Sequence, residues 1–245
     1  MTSKSSIKLS TLSLCALLLS GCAKSNLSKM HEYNADVGSI RPTRVLLQDF
    51  NANAGAVETS SSPLAKVKRL VGSESLDQEK QDLVKEVNTA LTSELTEKLK
   101  AMGLTVEHVS GDKQPQANEL LLTGHFLKIE EGNAVRRNLI GLGAGQSTLD
   151  CEVHVTTRGH TGIRELLSFN AHADSGNMPG AVVMGPAGAA AGAGTAAVSA
   201  VNVAKGAATA YQSSSAHQAT QIADKISTEL SSYFAKQGWA APEAK

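Results

Sequence analysis

Apolar positions along the chain follow two periods. Between residues 76 and 102, Val84, Val87, Leu91, Leu95, Leu99 and Met102 recur at steps of three and four, which places them on one face of an α-helix. Ser75, with Gln78 three positions on, has the form of a capping box, and Gly103 stands where the helix must end. "HQATQIADKISTELSSYFAKQG" repeats the pattern with Ile222, Ile226, Leu230 and Phe234, and Gly238 is its stop. "STLDCEVHVTT" instead alternates. Leu149, Cys151, Val153 and Val155 share one face, and Asp150, Glu152, His154 and Thr156 the other, the period of a half-buried strand. "RGHTG" predicts a turn and "IRELLSFNAHA" an antiparallel partner, while "RVLLQDF" (44–50), "LTVEHV" (104–109) and "ELLLTGHFLKIEEG" supply further strands.

Two helices that are each apolar on one side need a sheet to cover. The expected fold is therefore α+β: a mostly antiparallel, mixed sheet with two amphipathic helices packed on one face, plus a Gly/Ala-rich segment. A single domain is expected over residues 44–237, with an uncharged Gly/Ala-rich insert at 176–210 and a tail at 238–245.

The N-terminus adds an address. "MTSKSSIKLSTLSLCALLLSGC" carries Lys4 and Lys8 before an uncharged leucine-rich run that is too short to span a bilayer. Its end, Leu19-Ser20-Gly21-Cys22, resembles the lipobox of bacterial lipoproteins, in which the cysteine sulfur is acylated and the chain is cut in front of it. Residues 1–21 are then a signal peptide, Cys22 is the lipidation site, and the polar stretch 22–43 is a tether. Ala23 stands where an aspartate would resemble an inner-membrane retention signal, so the resemblance implies the outer membrane, facing the periplasm.

Cleavage removes Lys4 and Lys8 and leaves the mature chain slightly acidic, with no basic field to attract nucleic acid. Cys15 leaves with the signal and Cys22 takes lipid, so Cys151 has no disulfide partner in the chain and reads as a buried thiol.

Candidate chemistry is sparse. "NLIGLGAGQSTLDCEVHV" looks at first like a phosphate loop, but no lysine stands beside Ser147-Thr148 and a strand follows instead of a helix. Gly141, Gly143 and Gly145 suit a bulged or tightly crossing segment, and Arg136 and Arg137 beside them suit either solvent or a contact with lipid phosphate or an acidic partner. A hairpin closed by "RGHTG" pairs His172 near residue 148, about 20 Å along the strand from His154, so His154, His160 and His172 cannot share a metal ion. Glu130 and Glu131 point to opposite faces, no nucleophile elbow occurs, and no cofactor is expected beyond the lipid on Cys22.

The run "EEGNAVRRNLIGLGAGQSTLDCEVHV", preceded by "LLLTGHFLKI" and followed by "TGIRELLSF", resembles the uncharacterised bacterial lipoprotein family catalogued as domain of unknown function 4410. The resemblance extends over about residues 42–237, through the closing helix and "QGW", and the Gly/Ala insert is longer here than the family pattern. It implies a compact α/β periplasmic domain and supplies no catalytic residue.

One further motif bears on function. Gly188, Gly192, Ala196, Ala200 and Ala204 recur every four residues, the small-residue spacing that lets helices approach closely in lipid, although Pro179 and Pro186 interrupt the run before them. The expectation is a non-enzymatic outer-membrane lipoprotein that binds an envelope partner. Two alternatives stand beside it: a glycine-zipper-like protein that inserts or self-associates through Gly188 and Gly192, and an enzyme with a dispersed site.

Overall fold

The computed structural model describes residues 24–33, 41–61, 66–67, 70, 75–133, 145–176 and 214–239. Its elements in chain order are β1 (Ser25–Glu32), β2 (Arg44–Gln48), β3 (Asn51–Ala52), β4 (Val57–Glu58), α1 (Leu76–Ala101), β5 (Thr105–Val109), β6 (Glu119–Glu130), β7 (Thr148–Gly159), β8 (Gly162–Asp174) and α2 (Ser215–Lys236). They form one mixed, 8-stranded sheet in the order β1-β8-β7-β6-β2-β5, with β3 and β4 continuing beside β6 where β2 ends. β2 is parallel to both neighbours, and β6, β7, β8 and β1 are antiparallel in turn. This is the expected α+β fold.

Both helices are set by their ends as well as their stripes. Ser75 Oγ accepts from Gln78 N at 3.2 Å, but the Gln78 side chain turns to Asp82, so only half of the capping box forms. Gly103 takes φ 76°, with Gly103 N donating to Lys100 O and Leu104 N to Leu99 O. These two bonds satisfy the orphan carbonyls in a Schellman turn. Gly238 repeats the device: Gly238 N donates to Ala235 O and Trp239 N to Phe234 O, which swings Trp239 edge-on to Tyr233 and Phe234. In α1 the buried stripe is Leu83, Val87, Leu91, Leu95 and Leu99, with Thr92. Val84 and Met102, expected in the stripe, pack only at its margin.

The sheet departs from simple alternation at two bulges. Between β7 and β8, Val155 pairs with Leu167 and Thr156 with Glu165, so Leu166 is extra and Leu166 and Leu167 both enter the core. Between β6 and β7 the extra residue is Leu127, which lets Phe126 and Ile129 both point inward although three positions separate them. The first bulge shifts the register expected from the turn. His172 pairs with Asp150 rather than near residue 148.

A second difference lies at the N-terminus. Within the segment expected to be a tether, Ser25–Glu32 forms a strand against β8. Apart from Leu27 and Met30 its residues are polar, most are exposed, and its register breaks between Ser28 and His31, where Lys29 has φ 49°. No hydrophobic alternation announces such a strand. Backbone pairing to the free edge of β8 and the half-buried Leu27 hold it, and the bulge and Lys29 blunt the new edge.

One apolar layer joins the helices to the sheet. Leu149, Cys151 and Val153 are fully buried and Val155 nearly so, beside Leu120, Leu122, Phe126, Phe169 and Ala171 and under Leu91, Leu95, Ile222 and Ile226. Burial pushes the Cys151 thiol far above its ordinary pKa and so keeps it protonated and unreactive. Gly124 is required by packing: a Cβ there would lie 2.2 Å from the Phe50 ring, which itself packs at a tilt of 46° against Phe126, ring centres 5.6 Å apart. Gly124→Ala is expected to destabilise the domain by about 1–3 kcal/mol through overpacking, read as a lower urea midpoint at unchanged slope.

Candidate functional site

At one end of the sheet the buried polar side chains gather. Asn133, Ser147, Ser175, Ser215 and Gln218 are all buried, and the other buried polar residues among those described, Thr92, Thr157 and Ser168, lie apart from them. Gln218 sits on the inner face of α2, one turn before Ile222. Its Nε2 donates to Ser147 O at 3.1 Å and to Ser147 Oγ at 2.5 Å. Ser175 N donates to Ser147 O, and Ser147 N to Ser175 Oγ, at 3.1 and 3.2 Å. Beside this knot two backbones cross: Gly132 and Gly145 take φ 77° and 76°, Asn133 N donates to Gly145 O at 3.0 Å, and a Cβ on Gly132 would meet Gln146 O at 2.6 Å. The glycine-rich run is thus a crossing of chain at Gly145. Gly141 and Gly143 lie outside the described residues.

Cys22, Arg136, Arg137, Gly188 and Gly192, the candidate lipidation and contact residues, also lie outside the described residues. The described ends of their segments are Lys24, Asn133 and Gly145, and Gly176 and Ser214, and they belong to this same end of the fold.

The sheet face turned away from the helices carries a second arrangement. His172 lies between Asp150 and Asp174, with Nδ1 at 2.6 Å and Nε2 at 3.2 Å from their carboxylate oxygens. His154 lies between Glu165, at 2.5 Å, and Glu152, at 3.8 Å. His154 and His172 sit four positions apart along β7, about 13 Å, so they do not converge. Among the described residues no group of three or more His, Cys, Asp or Glu is placed to hold a metal ion. Burial pulls the His172 pKa down, but the hydrogen bonds and charges of Asp150 and Asp174 outweigh it, and the net shift is upward from 6.5. The period-two positions of Asp150, Glu152 and His154 carried a signal for this face. The partner across the strand could not be assigned without the bulge at Leu166.

A cleft of about 830 Å³ opens beside the N-terminal half of α1, lined by Asp49, Asn53, Asp77, Lys80, Lys85 and Asn88 among others. Asn88 bridges it to the sheet: its Oδ1 accepts from Phe50 N at 2.9 Å and its Nδ2 donates to Phe50 O at 2.8 Å, as a neighbouring strand would. Among the described residues neither histidine nor cysteine lines the cleft. Glu130 and Glu131 engage separate partners, Lys128 and the Ser60 amide.

Two outcomes follow from these contacts. Gln218→Leu keeps the volume but removes the donor to buried Ser147, and is expected to cost about 1–3 kcal/mol in chemical unfolding with the helical signal intact. Because the His172 pKa is raised on folding, its pairing contributes stability that is complete below about pH 6.5 and is lost as pH climbs through the raised value. The gap in unfolding midpoint between the natural chain and His172→Gln should therefore be widest in mild acid and narrow as pH rises into the alkaline range.

Comparison with known proteins adds the following. No curated protein matches the chain. Two dodecamer structures of PelC from Paraburkholderia phytofirmans, one a point variant, are similar at 11% and 10% identity with TM-scores of 0.30 and 0.29; each covers 62% of this chain, and they cover 80% and 82% of their own. A crystal structure of an uncharacterised protein is similar at 13% identity and a TM-score of 0.34, over 78% of this chain and 95% of its own. The family description that matches is "Domain of unknown function (DUF4410)", over residues 45–192, a narrower span than the resemblance read from the sequence. That match takes in more than half of the chain, and the protein belongs to this family.

Proposed function

We propose that the protein is a non-enzymatic lipoprotein of the outer membrane, with its α+β domain on the periplasmic side, serving as a module that binds an envelope partner or helps an assembly form. The observation that carries this reading is Leu19-Ser20-Gly21-Cys22 at the end of a short, uncharged leucine-rich run behind Lys4 and Lys8. Acyl chains on Cys22 would hold the domain at the membrane with no spanning helix. Among the described residues no helix is long and apolar enough to cross a membrane, which leaves β-barrel spanning untouched. An anchored domain works by position: confined to two dimensions, it meets envelope partners at a raised effective concentration. The exposed strand β1 at the sheet edge is one described surface for such a partner, and the Gly/Ala-rich run at 176–210 is a second candidate by its sequence.

A second reading is favoured by the fourfold spacing of Gly188, Gly192, Ala196, Ala200 and Ala204: insertion into the membrane or self-association through that run. The test uses Cys22→Ala placed behind an ordinary cleavable secretory signal. Alkaline extraction should release this variant into the soluble fraction while the natural protein stays with membranes. Intact-mass measurement of the natural protein should show a chain beginning at acylated Cys22. Retention of the variant in the membrane would favour insertion, and a natural chain without acyl groups would defeat the proposal.

A further inference from the structure

The cleft beside α1 lies at the carboxyl end of β2, where the connections of the chain part. From β2 the chain passes through α1 to β5 on one flank, then crosses to β6 on the other. In open α/β sheets such a switch point opens a crevice outside the strand ends, and ligands settle there. Here β2 stops at Gln48, and β3 and β4 carry on along β6 with no strand on their other side among the described residues. The crevice is the space between that bare edge and α1, about 830 Å³ in volume, with Ala52, Val57 and Val84 as its apolar lining. Val84 lines it instead of the core, which is why it stands only at the margin of the α1 stripe.

Two observations define the chemistry of an occupant. The first is backbone. Asn88 bonds both polar groups of Phe50, standing in for the strand that is missing there. Alternate residues of a strand turn N–H and C=O to the same side, so Ala52 follows Phe50 and offers its pair toward the cleft that it lines. The second is charge. Asp49, Asp77 and Lys85 are exposed on the walls, and among the described residues none of the three has an ion-pair partner. Asp77 and Lys85 are separated by about 12 Å along the axis of α1. Both signs of charge spread along a recess suit a ligand that is extended and carries both signs. A polyanion would meet the two carboxylates, and the described lining has no aromatic ring on which a base or a sugar could stack.

We propose that this cleft binds an extended segment of another protein, added beside β3 as a short strand, with a cationic side chain toward the aspartates and a carboxylate toward Lys85. Backbone pairing to the edge supplies affinity, and the alternate side chains supply selection. One face of the added strand packs on Ala52, Val57 and Val84, so the segment alternates apolar with polar residues. The site is remote in strand order from β1, the far edge of the sheet, and it goes beyond the lipoprotein reading: it holds whether or not Cys22 is acylated.

The experiment offers the natural full-length protein, purified in mild detergent, a phage-displayed library of random eight-residue segments. The enriched segment is then synthesised and titrated by fluorescence anisotropy. Gln81→Trp, an exposed change that fills the cleft, is the comparison, with its fold checked by circular dichroism. The expected segments alternate apolar with polar positions, hold both a cation and a carboxylate, and bind Gln81→Trp roughly tenfold more weakly or worse. Lys85→Glu should weaken the same segment by about tenfold, and exchanging the carboxylate of the segment for lysine should restore it. Methylating alternate backbone amides of the segment should weaken binding in one register and spare the other. No enrichment, segments that bind the natural and Gln81→Trp proteins equally, indifference to Lys85→Glu, or equal loss from methylation in both registers overturns the proposal. Binding of inorganic polyphosphate that Gln81→Trp abolishes, with no segment enriched, overturns it as well and makes the cleft an anion site.

Discussion

Leu149, Cys151, Val153 and Val155 stay dry only because two helices lie across them, and the architecture depends on that burial. Each side chain of this size contributes about 1.5–3 kcal/mol when removed from water, so a strand with four of them cannot leave that face exposed. α1 and α2 meet the need from one side, and Leu91, Leu95, Ile222 and Ile226 form the meeting surface. The helices are joined to each other by Lys98 of α1, which pairs with Glu94 at 3.1 Å and with Asp224 of α2. That exposed pair matters less than the layer beneath it, because water already solvates both charges.

Covering one face settles the character of the other. Residues opposite the core alternate with it, so they are free to be polar, and the sheet places Asp150, Glu152, His154, Glu165, His172 and Asp174 there. Each histidine lies between carboxylates, with Nδ1 2.5 Å from Glu165 for His154 and 2.6 Å from Asp150 for His172. The polar knot at Ser147 has a different cause. Chain must enter and leave the sheet there, and backbone groups that turn out of a ladder while still buried need partners. Ser147, Ser175 and Gln218 supply them, and Gly132 and Gly145 supply room for the crossing.

The function proposed here draws on both levels. The proposed membrane address rests on a short N-terminal motif that would act the same way on any domain. The fold adds that β1 pairs with β8 from Ser25 onward, three residues after Cys22.

Helices, the β7–β8 hairpin and the buried face were legible in the sequence because local periodicity reports burial directly. Caps were legible as well, since Ser75, Gly103 and Gly238 act within a few residues of themselves. β1 was not legible: a polar edge strand is held by backbone bonds to a distant partner and has no side-chain period to announce it. The His172 partner was missed for a related reason, because a single extra residue, Leu166, moves every later pairing. Gln218 left a faint trace, a polar side chain standing on an apolar stripe, yet its meaning needed Ser147 beside it. Residue order alone determined which faces go inward and where each helix stops, since those depend on neighbours a turn or a strand position away. Only the tertiary structure decided register, edges and which loops share an end, because those depend on contacts between segments far apart along the chain.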